Sequence, residues 1–323
     1  MLIKEIIIAL SFIKGMGRKS IYKFLMQNRQ VFQNKSIDEE DLLNLVNEYS
    51  YCNNRIQQVK LDDITINLQK AQLLIEEHKQ HEIEIITIFD KFYPSNLRSL
   101  DDNAPVILYA KGNLNLLMSN SFVAVIGSRK ISNYAARVGI RLSEIIADRG
   151  ATIVSGLAIG SDTCGHIGAL ASDNGKTIAI LPTGLDNILP VQNRDLAKQI
   201  VEKGSLLLSE YPIGSTLNKG NYIERDRIQA GLSDGIIVLE TDALGGTMNA
   251  VKIAYGQKMC IGCLPENMVQ LSGNKLLIND YSAIPISSQK DIEAYLDKVS
   301  LNEKENDIKE SEKKTKIEQI KLF

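Results

Sequence analysis

The chain reads as an α/β protein: an extended Rossmann-like, doubly wound, mostly parallel sheet preceded by a small helical region. Three observations predict this. Between residues 83 and 290, short β-branched runs alternate with longer helical stretches, the pattern of strand–helix–strand units. The runs are continuously apolar, as strands covered on both faces are. Residues 1–80 instead repeat apolar side chains at helical spacing, which predicts a separate helical region.

In order, the helical spacing runs through Ile3–Ile13, Ile21–Phe32, Leu42–Tyr49 and Ile66–Ile75. Ile6–Ile13 has the length of a signal-peptide core, but the KGMGRKS after it carries no small-x-small cleavage pattern, so it reads as helix. No run reaches the roughly 18 apolar residues of a membrane span. Strands are expected at Phe122–Ile126, Thr152–Val154, Thr177–Leu181, Ser205–Ser209, Ile236–Glu240 and Met259–Ile261. Helices are expected at Tyr134–Asp148, His166–Asp173, Arg194–Glu202, Asp226–Leu232 and Thr247–Tyr255. Residues 291–323 are rich in Lys and Glu and read as a charged, disordered tail.

An apolar fraction of 44% in 323 residues supports a real core. A net charge of −2 excludes a general polyanion binder, so any nucleic-acid contact must come from local patches. Four cysteines are too few for a disulfide scaffold and fit a reducing cytoplasm. Cys260 and Cys263 have ligand-like spacing without a second Cys/His pair nearby. No metal or cofactor is therefore expected.

Gly127, Gly156, Gly160, Gly184, Gly245 and Gly246 all fall at expected strand ends. In doubly wound sheets ligands bind there, where glycines expose backbone N–H groups and the next helix presents its positive end. One such glycine is an ordinary tight turn; six predict one anion-binding rim. No G-x-G-x-x-G follows the first strand and no G-x-x-x-x-G-K-[ST] occurs, so this is not a usual dinucleotide site. Arg129, directly after Gly127 and Ser128, should reach over the rim, where guanidinium matches phosphate oxygens in pairs. Arg225 and Arg227 are expected to open a helix beside it. His166 is expected to be a structural hydrogen-bond partner, and Asp162 a helix cap. Near the N-terminus, Lys14, Gly15, Gly17, Arg18 and Lys19 fit a hairpin whose N–H groups and charges meet phosphate, although a plain helical hairpin fits equally.

Across some 180 residues the chain resembles the DNA-processing protein A (DprA/Smf) family, in the ordered segments FYPSNLRSLDDNAPVILYAKGN, VAVIGSRKISNYA, IVSGLAIGSDTCGHIGAL, GKTIAILPTGLDNILPVQNRDL, SLLLSEYPIG, RDRIQAGLSDGIIVLE and GGTMNAVKIAYGQK. The resemblance implies a non-enzymatic, dimeric protein that binds single-stranded DNA and hands it to the RecA recombinase, and residues 1–80 look like the sterile-alpha-motif or helix–hairpin–helix region such proteins carry. It places Gly127, Ser128, Arg129, Arg225 and Arg227 in the DNA pocket. Contacts there should be mostly to phosphate, hence salt-dependent and tolerant of sequence.

The chain departs from the family pattern at Asp226, where the family usually has asparagine, at Ser161, and at Gly245-Gly246. It also has too few residues after Ile286 for the winged-helix domain of many members. A competing reading is a nucleotide-binding or phosphoribohydrolase-like protein. Its pattern, G-G-x-G-T-x-x-E, would need a glutamate where Ala250 stands, and Glu240 is the nearby substitute. Finally, Gln319, Leu322 and Phe323 in EQIKLF resemble a sliding-clamp-binding peptide.

Overall fold

A computed structural model describes residues 1–34 and 37–301. The helical region comprises α1 (Ile3–Ser11), α2 (Arg18–Gln27), α3 (Arg29–Asn34), α4 (Glu39–Tyr51) and α5 (Leu61–Gln80). There follow β1 (Glu84–Thr87), α6 (Ser95–Arg98), β2 (Ile107–Gly112), β3 (Phe122–Ile126), α7 (Asn133–Asp148), β4 (Thr152–Ser155), α8 (Ser161–Ala171) and β5 (Thr177–Leu181). The chain continues through α9 (Arg194–Glu202), β6 (Leu206–Ser209), α10 (Lys219–Leu232), β7 (Gly235–Val238), α11 (Thr247–Gly256), β8 (Cys260–Cys263), α12 (Gly273–Asp280) and β9 (Ile284–Pro285). A last helix, α13, covers residues 289–301.

The strands form one sheet in the order β1-β2-β6-β5-β4-β3-β7-β8-β9. β1 and β2 are antiparallel to their neighbours, and all other pairs are parallel. The chain runs outward from β3 to β6, then returns to place β7 on the other side of β3. The topological switch point therefore lies between β3 and β7, where the two adjacent strand ends diverge into different loops. Alternation along β3 explains the layering. Val123 and Val125 pack with Leu142 and Ile146 of α7, while Ala124 and Ile126 pack with Met248 and Val251 of α11. Both faces are covered, which is why these strands read as unbroken apolar runs.

Two expected boundaries shift. Residues 1–80 do not keep a core to themselves: Ile7, Leu10, Phe24 and Leu25 belong to the same buried cluster as Leu97, Leu108 and Leu208. His78 of α5 joins the halves as well. Its Nδ1 donates to Leu74 O (2.7 Å), leaving Nε2 to accept from Ile213 N (3.1 Å). The expected tail from 291 begins inside α13, because Ile292, Tyr295 and Val299 recur at helical spacing and bury against the sheet. Tyr295 is fully buried and its hydroxyl donates to Ile236 O at 3.0 Å. The peptide Gln319, Leu322 and Phe323 lies outside the described residues. Among the described residues, no helix is long and apolar enough to cross a membrane. Cys260 and Cys263 lie on β8, and burial pushes the Cys263 thiol up to about 12, which keeps it protonated.

Candidate nucleic-acid interface

The turn after β3 is built by its neighbours. Ser128 N donates to Glu240 O (2.6 Å), tying the turn to the end of β7. The Glu240 carboxylate is fully buried and accepts from Ser132 N (2.8 Å), Gln270 N (2.5 Å) and Leu271 N (3.0 Å). Glu240 thus ties two loops, β3–α7 and β8–α12, to the end of β7, and both its carboxylate oxygens are engaged. Gly160 has φ +86°, and a Cβ there would strike Ser128 O. This position needs glycine for both its backbone and its space.

Arg129 emerges from this turn into solvent, with its guanidinium 5.1 Å from the centre of the Tyr222 ring. Such a contact contributes about 0.5–1 kcal/mol at an exposed site and holds the guanidinium in place. No carboxylate lies within ion-pairing distance of Arg129 among the described residues. Tyr222 is a site residue that sequence reasoning missed. Its signal was an aromatic three positions before Arg225, one helical turn away on the same face.

Arg225 forms the floor. Its guanidinium lies against Gly156, where a Cβ would overlap it. Its Nε donates to Asp226 Oδ1 (3.0 Å), its Nη1 donates to Ile180 O (3.3 Å), and Nη1 lies 3.7 Å from Asp162 Oδ2. Burial raises both carboxyls against the pull of Arg225, Asp162 to about 6. Asp162 does not cap α8 as expected: it accepts from Ala158 N in the preceding loop (3.3 Å). His166 hydrogen-bonds within the core, with Nδ1 2.8 Å from Thr177 Oγ1, while its buried Nε2 has no partner among the described residues. Burial, with Arg225 nearby, depresses its pKa to about 3.

Gly127, Ser128, Arg129, Arg225, Asp226, Gly245 and Gly246 line one open cleft of about 310 Å³ at the switch point. Ala250 lines it too, so no acid stands where the hydrolase pattern needs one. Gly156, Arg129, Tyr222 and Arg225 also wall an adjoining recess of about 320 Å³. Gly160 supports the Arg129 turn from behind. Gly184 lies apart, packed against Pro212 and Ile213, because β5 is two strands from β3, roughly 10 Å along the sheet.

Arg227 does not enter the cleft. α10 starts at Lys219, so Arg225 and Arg227 sit in its middle, not at its start. Two residues apart on a helix, they face opposite ways. Arg227 donates to Asn103 O and pairs with Glu210 (2.5 Å) and Glu224 (3.0 Å). Burial pushes Glu210 up to about 7 despite Arg227 and Arg18. The N-terminal cations are committed to the same region. Arg18 bonds Glu224 (3.1 Å) and Asp102 O (3.3 Å), and Lys19 and Lys23 pair with Asp102 (3.4 and 3.5 Å). Gly15 has φ +90° in a tight turn against Arg55 O, Gly17 is the N-cap of α2, and Lys14 O accepts from Gln57 N (3.3 Å). The hairpin exists, but Arg18 and Lys19 bind the chain's own acids.

Residues 84–297 match the model of the DNA recombination-mediator protein A family. Protein Smf of Synechocystis sp. is 39% identical over 204 residues, covering 62% of this chain and 50% of that protein. DNA processing protein DprA of Streptococcus pneumoniae is 32% identical over 251 residues, 76% of this chain and 84% of that protein. The match spans about half the length of the Smf relatives from Synechocystis and Escherichia coli. The X-ray structure of the Streptococcus pneumoniae protein superposes with a TM-score of 0.72 at 29% identity, covering 91% of this chain and 98% of that one. DNA processing protein A of Helicobacter pylori, solved for its single-stranded DNA binding mode, gives 0.60 at 30% identity over 67% of this chain and 97% of that one. With the fold, the switch-point cleft and these matches in agreement, the chain belongs to the DNA recombination-mediator protein A family.

Proposed function

We propose that this chain binds single-stranded DNA in the Arg129 cleft and delivers the strand to the RecA recombinase, with no catalytic step of its own. The observation that carries the reading is Arg129 itself. It is exposed, has no carboxylate within ion-pairing distance among the described residues, and is held over an aromatic ring at the switch point. A guanidinium fixed beside an aromatic face offers the two contacts a single strand needs: one to phosphate, one to a stacked base. The DNA-binding Helicobacter pylori relative supports the reading through shared fold and sequence. RecA and a second copy of the chain are the proposed partners.

The test is a titration with a single-stranded oligonucleotide of about 20 bases. It is run beside nucleoside monophosphates with product analysis, then repeated with RecA in a filament-assembly assay. Binding of the oligonucleotide, faster RecA assembly and intact monophosphates are expected. Cleaved monophosphates, or no DNA binding by the folded protein, would refute it.

A further inference from the structure

The charge of the cleft does not suit a string of phosphates. Asp162, Asp226 and Asp242 line it against Arg129 and Arg225. Arg225 is held at its Nε by Asp226 and approached at Nη1 by Asp162. Arg227, Arg18 and Lys19 are engaged elsewhere. Only part of the recognition can therefore run through phosphate.

The remaining surfaces suit bases. The recess beside Arg129 and Tyr222 has an apolar wall of Ile159, Leu189, Pro190 and Val191. Leu244, on the loop that carries Gly245 into the cleft, is fully exposed. Asp226 lines the adjoining cleft, together with Tyr222 and Arg225, which the cleft shares with the recess. Its Oδ1 takes the Arg225 Nε, while Oδ2 has no hydrogen-bond partner among the described residues. The side chain remains 17% exposed. An ionised carboxylate only accepts hydrogen bonds, so a ligand group meeting Oδ2 must bring an N–H.

Resting on the assignment of the cleft to single-stranded DNA, we propose that Asp226 makes it selective for bases with an exocyclic amine, guanine and cytosine before thymine. A base stacked on the Tyr222 side presents its edge to the carboxylate. Guanine offers N1–H and N2–H together, and cytosine and adenine each offer an amine. Thymine offers one N3–H between two carbonyl oxygens, which repel the carboxylate. An amide at position 226 donates as well as accepts, so it would not discriminate in this way.

The experiment compares the unmodified protein's affinity for oligonucleotides of about 20 bases: all-thymine, all-cytosine, and thymine interrupted by isolated guanines. Binding about tenfold tighter for the cytosine and guanine strands is expected, the ratio that one charge-assisted hydrogen bond supplies. Asp226→Asn should bring the ratio close to one. Equal affinity for all three strands overturns the inference and leaves the DNA-binding assignment standing. A ratio unchanged in Asp226→Asn overturns the role of Asp226. No binding of any strand overturns the assignment, and the inference with it.

Discussion

The salt dependence of DNA binding tests the geometry of the cleft directly. Each phosphate neutralised on a single strand adds about −0.7 to the slope of log affinity against log salt. Arg129 is free to neutralise one phosphate, whereas Arg225 is already matched by Asp226 and Asp162. Arg129→Ala should therefore flatten the slope by about 0.7, removing a roughly threefold loss of affinity between about 50 and 200 mM salt. At low salt the same change should weaken binding about tenfold or more for every sequence, the cost of a lost charge-assisted contact. On an all-thymine strand, which makes no amine contact to Asp226, Asp226→Asn should do the reverse. It releases Arg225 from its nearest carboxylate, so the slope steepens by about 0.7 and affinity rises. Fluorescence anisotropy of a labelled oligonucleotide across a salt series reads both changes. An unchanged slope in folded Arg129→Ala protein would refute the assignment of Arg129. Weaker binding of an all-thymine strand by Asp226→Asn would show that the carboxylate organises Arg225 instead of competing for it.

Acidity should act on the same floor. Burial raises Asp162 from 3.8 to about 6, so it takes up a proton as pH falls through about 6 and leaves Arg225 freer for phosphate. Asp226 shifts in the same direction, and His166, lowered to about 3, stays neutral in this range. DNA affinity should rise as pH drops through about 6, and Asp162→Asn should flatten that rise. A profile unaffected by Asp162→Asn would refute the cause. For stability, a raised carboxyl works against folding once ionised. Its contribution should fall as pH climbs from 3.8 to about 6 and stay level above. Arg227→Ala should cost about 3 kcal/mol in chemical denaturation by leaving Glu210 and Glu224 with fewer partners. Folded Arg227→Ala protein should keep the salt slope of the parent; a flattened slope would place Arg227 on the DNA.

The sequence by itself determined the parallel strands β3 to β8 and the turn at Gly127-Ser128-Arg129, but not β1, β2 and β9 at the sheet's two ends. Strands covered on both faces leave unbroken apolar runs, and a turn that must accept a ligand or a tight backbone keeps its glycines in place. β3, β5 and α9 have the bounds that local pattern predicts. α10 begins earlier than expected because it is buried on several sides and shows little periodicity, although Asn218 caps it by accepting from Gly220 N. α13 was readable from Ile292, Tyr295 and Val299 at helical spacing, but the lysines and acids between them masked it. Only the tertiary structure decided which cations remain free. Helical rotation sends Arg225 into the cleft and Arg227 away from it, and the acids that capture Arg18 and Arg227 lie far along the chain or on another element. Glu210 is 192 positions from Arg18 in sequence and 3.7 Å from it in space. Pairings of that kind depend on how the packed elements meet, and local sequence pattern carries no record of them.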